Sequence, residues 1–115
     1  MSIQEKSEEF AILIAKYYLT LKKQKYYEIA SQIFRSWTSI WANIMEAQEW
    51  QSKKDFLHKM SIALKEARES EYWIDLLKMW WYLQNYKEYA VLVNKTDEIL
   101  WILTKIVKTT KLSLL

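Results

Sequence analysis

The amino-acid sequence contains no glycine and no proline in its 115 residues. Average usage would supply roughly eight glycines and six prolines in a chain of this length. Hairpin turns, dinucleotide-binding loops and phosphate-binding loops need glycine where φ is positive or where the backbone passes close to a ligand. The sequence therefore excludes β-rich, Rossmann and P-loop folds and leaves an all-α domain.

The composition is that of a folded chain, with 51% hydrophobic and 27% charged residues. Its length predicts a single domain over residues 1–115. The absence of cysteine excludes a disulfide framework, a thiolate metal site and a cysteine nucleophile. No apolar run approaches the length of about 20 residues that spans a bilayer, and the N-terminus lacks the pattern of a signal peptide. We therefore expect a cytoplasmic protein that has no membrane partner.

Apolar residues recur every three or four positions along almost the whole chain, which predicts helices. The four predicted helices cover about residues 3–25, 27–48, 53–80 and 85–112. Ser52 and Asp55 have the spacing of a capping box for the third helix, and residues 85–88 resemble it before the fourth. The predicted core positions are Phe10, Leu13, Ile14, Tyr17, Leu21, Ile29, Ile33, Trp37, Ile40, Ile44, Ala47, Phe56, Met60, Ala63, Ala67, Ile74, Leu77, Leu92, Thr96, Ile99, Leu103 and Ile106. Long helices with short links predict an up-down-up-down antiparallel four-helix bundle.

The middle of the chain carries a recognisable pattern. Residues 35–47 are RSWTSIWANIMEA, and the pattern continues through QSKKDF at 51–56 and IALKEARESEYW at 62–73. It extends weakly into ILWILTKI at 99–106. These segments resemble the signature of a bacterial family of four-helix bundles. Its members include proteins encoded in intervening sequences of 23S ribosomal RNA genes.

The resemblance implies an antiparallel four-helix bundle that assembles as a homo-oligomer, a pentameric ring in relatives of known fold. The molecular role of the family is uncharacterised. In one related branch, the accessory proteins of diversity-generating retroelements, a basic pentameric ring engages a reverse transcriptase and nucleic acid. The resemblance thus implies that the partners of this chain are further copies of itself, RNA or DNA, or an unidentified protein.

Tryptophan stands at four positions where the family has glycine or another small or turn-forming residue: Trp37, Trp41, Trp50 and Trp81. The whole chain has seven tryptophans and no glycine. We hypothesise that some of these tryptophans are UGA codons, which certain bacterial lineages read as glycine. Removal of glycine by engineering is the alternative explanation.

Polar residues recur along one face of the second helix, at Arg35, Ser39, Asn43 and Glu46. Their spacings of four, four and three place them in one stripe, and Glu69 on the third helix lies where it can face them. We interpret the stripe as a hydrogen-bond network that fixes the register of two helices. A ligand groove is the alternative interpretation.

Lysines gather at both ends of the predicted bundle, in a chain of net charge +3. The first bundle end has Lys22, Lys23, Lys25, Lys78 and Lys87. The second bundle end has Lys53, Lys54, Lys105, Lys108 and Lys111, with Glu46, Glu49 and Asp55 close by. The candidate contacts for nucleic-acid phosphates are Lys22, Lys23, Lys25, Lys53, Lys54, Lys105, Lys108 and Lys111.

Candidate catalytic and metal-binding groups are few. His58 and Asp55 make one Asp-x-x-His element, whereas a di-iron bundle needs two Glu-x-x-His elements and two further glutamates. A serine nucleophile elbow needs glycines that the chain lacks. We therefore expect no catalytic residue, no metal and no cofactor, and we do not expect an enzyme.

Aromatic residues make up 16% of the chain, more than one small bundle can bury. Excess apolar surface is typical of a protein–protein interface. The sequence thus predicts a non-enzymatic interaction module that self-assembles. The alternative is a nucleic-acid-binding accessory protein that uses the basic bundle ends, and an enzyme or metal carrier is a distant third.

Overall fold

The computed structural model describes residues 2–23, 27–78 and 87–115. They form four helices: α1 (Ile3–Lys23), α2 (Tyr27–Ala47), α3 (Lys53–Lys78) and α4 (Lys87–Ser113). The all-α fold predicted from the missing glycines is confirmed. The predicted helix ends at 25, 80 and 85 lie outside the described residues, as does Trp81.

Each helix packs against its neighbours in the chain, and α1 also packs against α4. The diagonal pairs, α1 with α3 and α2 with α4, do not come into comparable contact within the described residues. The bundle measures 48 × 24 × 20 Å, and its long axis fits helices of about 32 to 40 Å at 1.5 Å per residue. The up-down-up-down arrangement is therefore confirmed.

The apolar stripes of the four helices meet in one core, as their periodicity predicts. The buried apolar residues are Phe10, Ile14, Tyr17, Leu21, Ala30, Ile33, Trp37, Ile40, Ile44, Ala47, Met60, Ala63, Leu64, Ala67, Ile74, Leu92, Ile99, Leu103 and Val107. The predicted core positions Leu13, Ile29, Phe56 and Ile106 are only partly buried, because they lie at the edges of their stripes. The side chain of Leu77, also a predicted core position, lies outside the described part of the structure. Buried Ala63, Ala67 and Ser70 let the helices approach closely without glycine.

Serine side chains cap the N-termini of two of the helices. The Asp55 backbone N–H donates to Ser52 Oγ at 3.1 Å, which is the predicted cap of α3. The Asp55 carboxylate accepts from the Gln51 N–H at 3.4 Å, one residue before the position that a capping box uses. The Glu5 N–H donates to Ser2 Oγ at 3.2 Å in the same way at the start of α1.

The junction between α1 and α4 is lined by ion pairs. Lys6 pairs with Glu98, and Lys95 Nζ lies 3.3 Å from Glu9 Oε1. The same ammonium group lies 4.6 Å from the centre of the Phe10 ring. These contacts fix an antiparallel register between the first and last helices. Within the described part of the chain, no helix is sufficiently long and apolar to cross a bilayer.

Candidate interaction surfaces

Large apolar side chains are exposed on the outer sides of α1 and α2. Ile12 and Leu19 are 54% and 62% exposed, and they lie two turns apart on the side of α1 opposite its buried stripe. Trp41 and Met45 are exposed one turn apart on α2. We call these four residues the α1–α2 face.

The α1–α2 face is positioned by aromatic contacts beneath it. Phe34 lies two turns before Trp41 on α2, and its ring lies 4.8 Å from that of Tyr18 on α1. The Phe10 ring packs edge-on against the buried Trp37, at 5.7 Å and 89°. These contacts hold α1 and α2 side by side.

The tryptophans for which we hypothesise UGA codons that are read as glycine (the recoding hypothesis) occupy different environments. Trp37 lies in the core, where its Nε1 has no acceptor among the described residues. Trp41 lies on the α1–α2 face, and Trp50 is half exposed between α2 and α3. A large side chain is accommodated at all three positions, so the structure does not test the hypothesis. The sequence of the coding DNA tests it.

Two ion pairs connect the predicted polar stripe to α3. Arg35 Nη2 lies 2.8 Å from Glu69 Oε1, and Glu46 Oε2 lies 2.8 Å from Lys59 Nζ. As the residue number rises along α2 from Arg35 to Glu46, the number of its partner on α3 falls from Glu69 to Lys59 by nearly the same amount, as expected for antiparallel helices. Because Glu46 accepts a hydrogen bond from the ammonium group and attracts its charge, the pKa of Lys59 is raised. Lys59 was not predicted from the sequence, although this register would have identified it.

The middle of the stripe is bonded within α2. Asn43 Nδ2 donates to the Ser39 backbone oxygen at 2.8 Å and lies 3.3 Å from Ser39 Oγ. The five predicted stripe residues therefore form three local groups, two of which cross to α3. The role of the stripe as a register device stays a prediction.

A partly buried carboxyl group, that of Glu66, lies beside the stripe. Its Oε2 is buried and has no hydrogen-bond donor among the described residues. Burial raises the pKa of Glu66, the charge of Glu69 raises it further, and the Arg35 guanidinium opposes both effects. Glu66 was not singled out in the sequence, where it looks like any polar residue on a helix.

The lysines of the two bundle ends are exposed. None of the seven that the structure describes forms an ion pair with another described residue; they are Lys22, Lys23, Lys53, Lys54, Lys105, Lys108 and Lys111. Lys22 and Lys105 lie over aromatic rings, at 5.7 Å from Tyr18 and 4.1 Å from Trp101. Lys25 lies outside the described residues, as do the side chains of Lys78 and Lys87.

The second bundle end contains a small cavity of 260 Å³. Lys53 and Trp50 line it from the start of α3 and the turn before it, and Thr109 and Thr110 line it from α4. The cavity therefore joins the start of α3 to the last turns of α4, and phosphate binding by the lysines of this end stays a prediction.

A groove between α3 and α4 adds basic residues that sequence reasoning missed. Lys65, Arg68 and Lys111 line it together with Tyr72, over a volume of 480 Å³. Lys65 and Arg68 come from the middle of α3, whereas the basic residues predicted as phosphate contacts are lysines at the bundle ends. Their three-residue spacing within α3 was the available signal.

The single histidine, His58, is exposed on α3. Across residues 2–23, 27–78 and 87–115 no cluster of three or more histidine, aspartate or glutamate side chains could hold a metal ion.

Comparison with known proteins identifies a family and a solved relative. The sequence model of the family described as 23S rRNA-intervening sequence protein matches residues 1–105. The crystal structure of a protein of unknown function from the S23 ribosomal protein family of Bacteroides thetaiotaomicron VPI-5482 is also similar. The two chains are 44% identical, the match covers 93% of this chain and 99% of that chain, and the TM-score is 0.85. No curated protein matches this chain.

Proposed function

Because this chain belongs to the 23S rRNA-intervening sequence protein family, we propose that it is a non-enzymatic helical module that assembles with further copies of itself. The descriptions of the family and of the solved relative name no catalytic activity. The observation that carries the proposal is the α1–α2 face, which exposes four large apolar side chains.

The spacing of the α1–α2 face suits a helical partner. Ile12 and Leu19 are two turns apart, and Trp41 and Met45 are one turn apart. Side chains at these intervals lie on one face of a helix, where a second helix can pack against them. Large exposed apolar patches of this kind mark protein–protein contacts in folded proteins. A second copy of this bundle supplies a helical surface of matching length. We therefore propose a homo-oligomer, with the pentameric ring implied by the resemblance as the expected form.

Light scattering after gel filtration tests the proposal. We expect the unmodified chain to be oligomeric at micromolar concentration and the double variant Ile12→Glu/Leu19→Glu to be monomeric. Trp101→Glu is the matched control, because Trp101 is as exposed as Leu19 but lies on α4. It should leave the oligomer intact. A monomeric unmodified chain would overturn the proposal, and dissociation by Trp101→Glu alone would place the interface on α4 instead.

Binding of nucleic acid is the second candidate function, and the seven exposed lysines without ion pairs support it. Repeated around a ring, either bundle end would become a multivalent basic surface. Titration of structured RNA and duplex DNA at roughly 50 and 200 mM salt tests this function, because phosphate contacts weaken steeply with salt. A drop in affinity of about a hundredfold or more would indicate several contacts. No binding at low salt would retire this candidate and leave an unidentified protein as the partner to seek.

The proposed location is the cytoplasm. The absence of cysteine suits a reducing compartment, although it does not require one.

A further inference from the structure

We propose that the groove between α3 and α4 binds a nucleotide, with its phosphate on Lys65, Arg68 and Lys111 and its base against Tyr72. This site is independent of self-assembly through the α1–α2 face. It shares Lys111 with the basic bundle ends of the second candidate function. Its other members lie in the middle of α3, so the two can be tested separately.

The charge of the groove favours an anion. Three cationic side chains line it, and none of the three forms an ion pair within the part of the chain that the structure describes. One carboxylate, that of Glu69, also lines the groove, but the Arg35 guanidinium on α2 already lies 2.8 Å from it. Lys65 also interacts electrostatically with Glu66, which does not line the groove, so the three cations outnumber the single carboxylate that does.

The cationic side chains that α3 contributes to the groove end at Arg68. Lys65 and Arg68 are one turn apart, and Tyr72 follows Arg68 by a further turn. The acidic Glu71 and Asp75 come next on α3. An anionic group is thus directed to the portion of the groove between Lys65 and Arg68, with Tyr72 at its limit.

The walls of the groove suit a flat aromatic group beside the anion. Leu64 and Val107 are 8% and 6% exposed and provide an apolar floor. The Tyr72 side chain is 71% exposed, the most exposed aromatic ring among the described residues. Nucleic-acid bases stack on such rings, and the groove volume of 480 Å³ lies within the range of small-molecule sites. A ligand with a phosphate next to a base would contact both the cationic side chains and the exposed Tyr72 ring.

Fluorescence anisotropy tests the site, with a labelled single-stranded uridine oligonucleotide of about 12 nucleotides as the probe at roughly 50 mM salt. Unlabelled uridine monophosphate competes in a second arm, and poly-glutamate competes in a third. The variants are Lys65→Gln/Arg68→Gln, Tyr72→Ala and Tyr72→Phe. Lys16→Glu lowers the net charge by the same two units at an exposed position of α1, outside the groove and both bundle ends, and serves as the matched control. All these side chains are exposed, and a thermal melt of each variant checks that it is folded.

We expect Lys65→Gln/Arg68→Gln to weaken binding by about tenfold or more, since two charge-assisted contacts are lost. Tyr72→Ala should weaken it by about fivefold or more, whereas Tyr72→Phe keeps the ring and should bind as before. The Lys16→Glu control should stay within about twofold of the unmodified chain, because Lys16 lies outside the groove and outside the basic bundle ends. Displacement of the probe by uridine monophosphate at comparable concentration would identify a free nucleotide as the occupant, and displacement only by a strand would identify nucleic acid.

Three results would overturn the site. The first is no binding of the oligonucleotide or of the mononucleotide. The second is an equal loss in the groove variant and in the Lys16→Glu control, which would indicate attraction by net charge. The third is displacement of the probe by poly-glutamate as readily as by a uridine strand, which would indicate a surface for acidic peptides. Repeating the titration with the Ile12→Glu/Leu19→Glu chain separates failure of this site from failure of self-assembly.

Discussion

Glu66 is a carboxyl group placed where its charge is poorly compensated. One of its oxygens is buried without a donor, and the neighbouring Glu69 is held by Arg35. Because burial and the charge of Glu69 raise its pKa above the ordinary value of 4.5, the native state binds the Glu66 proton more tightly than the unfolded chain does. The stability that this group contributes is therefore complete at low pH and is lost as the pH rises above 4.5 through the raised native value.

Glu66→Gln should therefore raise the free energy of unfolding at neutral pH, by a few tenths to about 1 kcal/mol for this partly exposed position. The advantage should disappear below the ordinary pKa of 4.5, where the carboxyl group of the unmodified chain is protonated. Urea unfolding at several pH values measures the difference. Glu8→Gln, at an exposed position of α1, is the control and should change little. An advantage that is the same at every pH would contradict the explanation.

At Trp37, the recoding hypothesis has a structural consequence, because glycine there would remove a large side chain from the core. Its indole fills the core against Phe10 while its N–H lacks an acceptor among the described residues. If the hypothesis is correct, sequencing the coding DNA will show UGA at positions 37 and 41. The natural chain would then have glycine there, and α2 could lie closer to α1. UGG at both positions would reject the hypothesis.

Residue roles were predicted from the sequence where they depend on spacing along one helix. The contact between Arg35 and Glu69 was anticipated, because a stripe on α2 needs a complement on α3. Lys59 was missed, because its role depends on which residue of a second helix lies opposite. That register comes from packing of the whole core, and helical periodicity does not contain it.

At the scale of the helix, the stripe between α2 and α3 is a set of weak cross-links. The Arg35 and Glu69 side chains are 57% and 34% exposed, so solvent screens their attraction. A double-mutant cycle of Arg35→Ala and Glu69→Ala should give a coupling of about 0.2 to 1 kcal/mol in the free energy of unfolding. The cycle of Glu46→Ala and Lys59→Ala is a second test and should fall in the same range. Zero coupling in both cycles would remove the register role from the stripe.

The helices themselves were predictable to within a few residues. Their apolar period, the serine that caps α3 and the family pattern at 35–47 and 62–73 all pointed to the same four elements, and the family assignment is confirmed. The predicted and the observed core residues differ at the edges of the apolar stripes. Val107 is buried where Ile106 was predicted, because a one-residue rotation of α4 suffices to exchange them.

At the scale of the whole molecule, the proposed assembly makes stability depend on protein concentration. Anything that binds the folded state but not the unfolded chain raises the melting temperature by mass action. The Tm of the unmodified chain should therefore rise as its concentration increases from about 1 to 100 μM, at which mass action becomes measurable. The Tm of Ile12→Glu/Leu19→Glu should stay constant in the same scanning calorimetry series. A constant Tm for both chains would argue against assembly.

The order in which the helices pack has a kinetic consequence. Three of the four interfaces join helices that are consecutive in the chain, and the α1–α4 junction joins the two that are farthest apart. Contacts between chain neighbours give a low contact order, and helical bundles of this kind fold in microseconds to milliseconds. We expect α1 and α4 to dock last, because their contact closes the longest loop. Their solvent-screened ion pairs, Lys6 with Glu98 and Lys95 with Glu9, then make this junction the place where the folded bundle first comes apart.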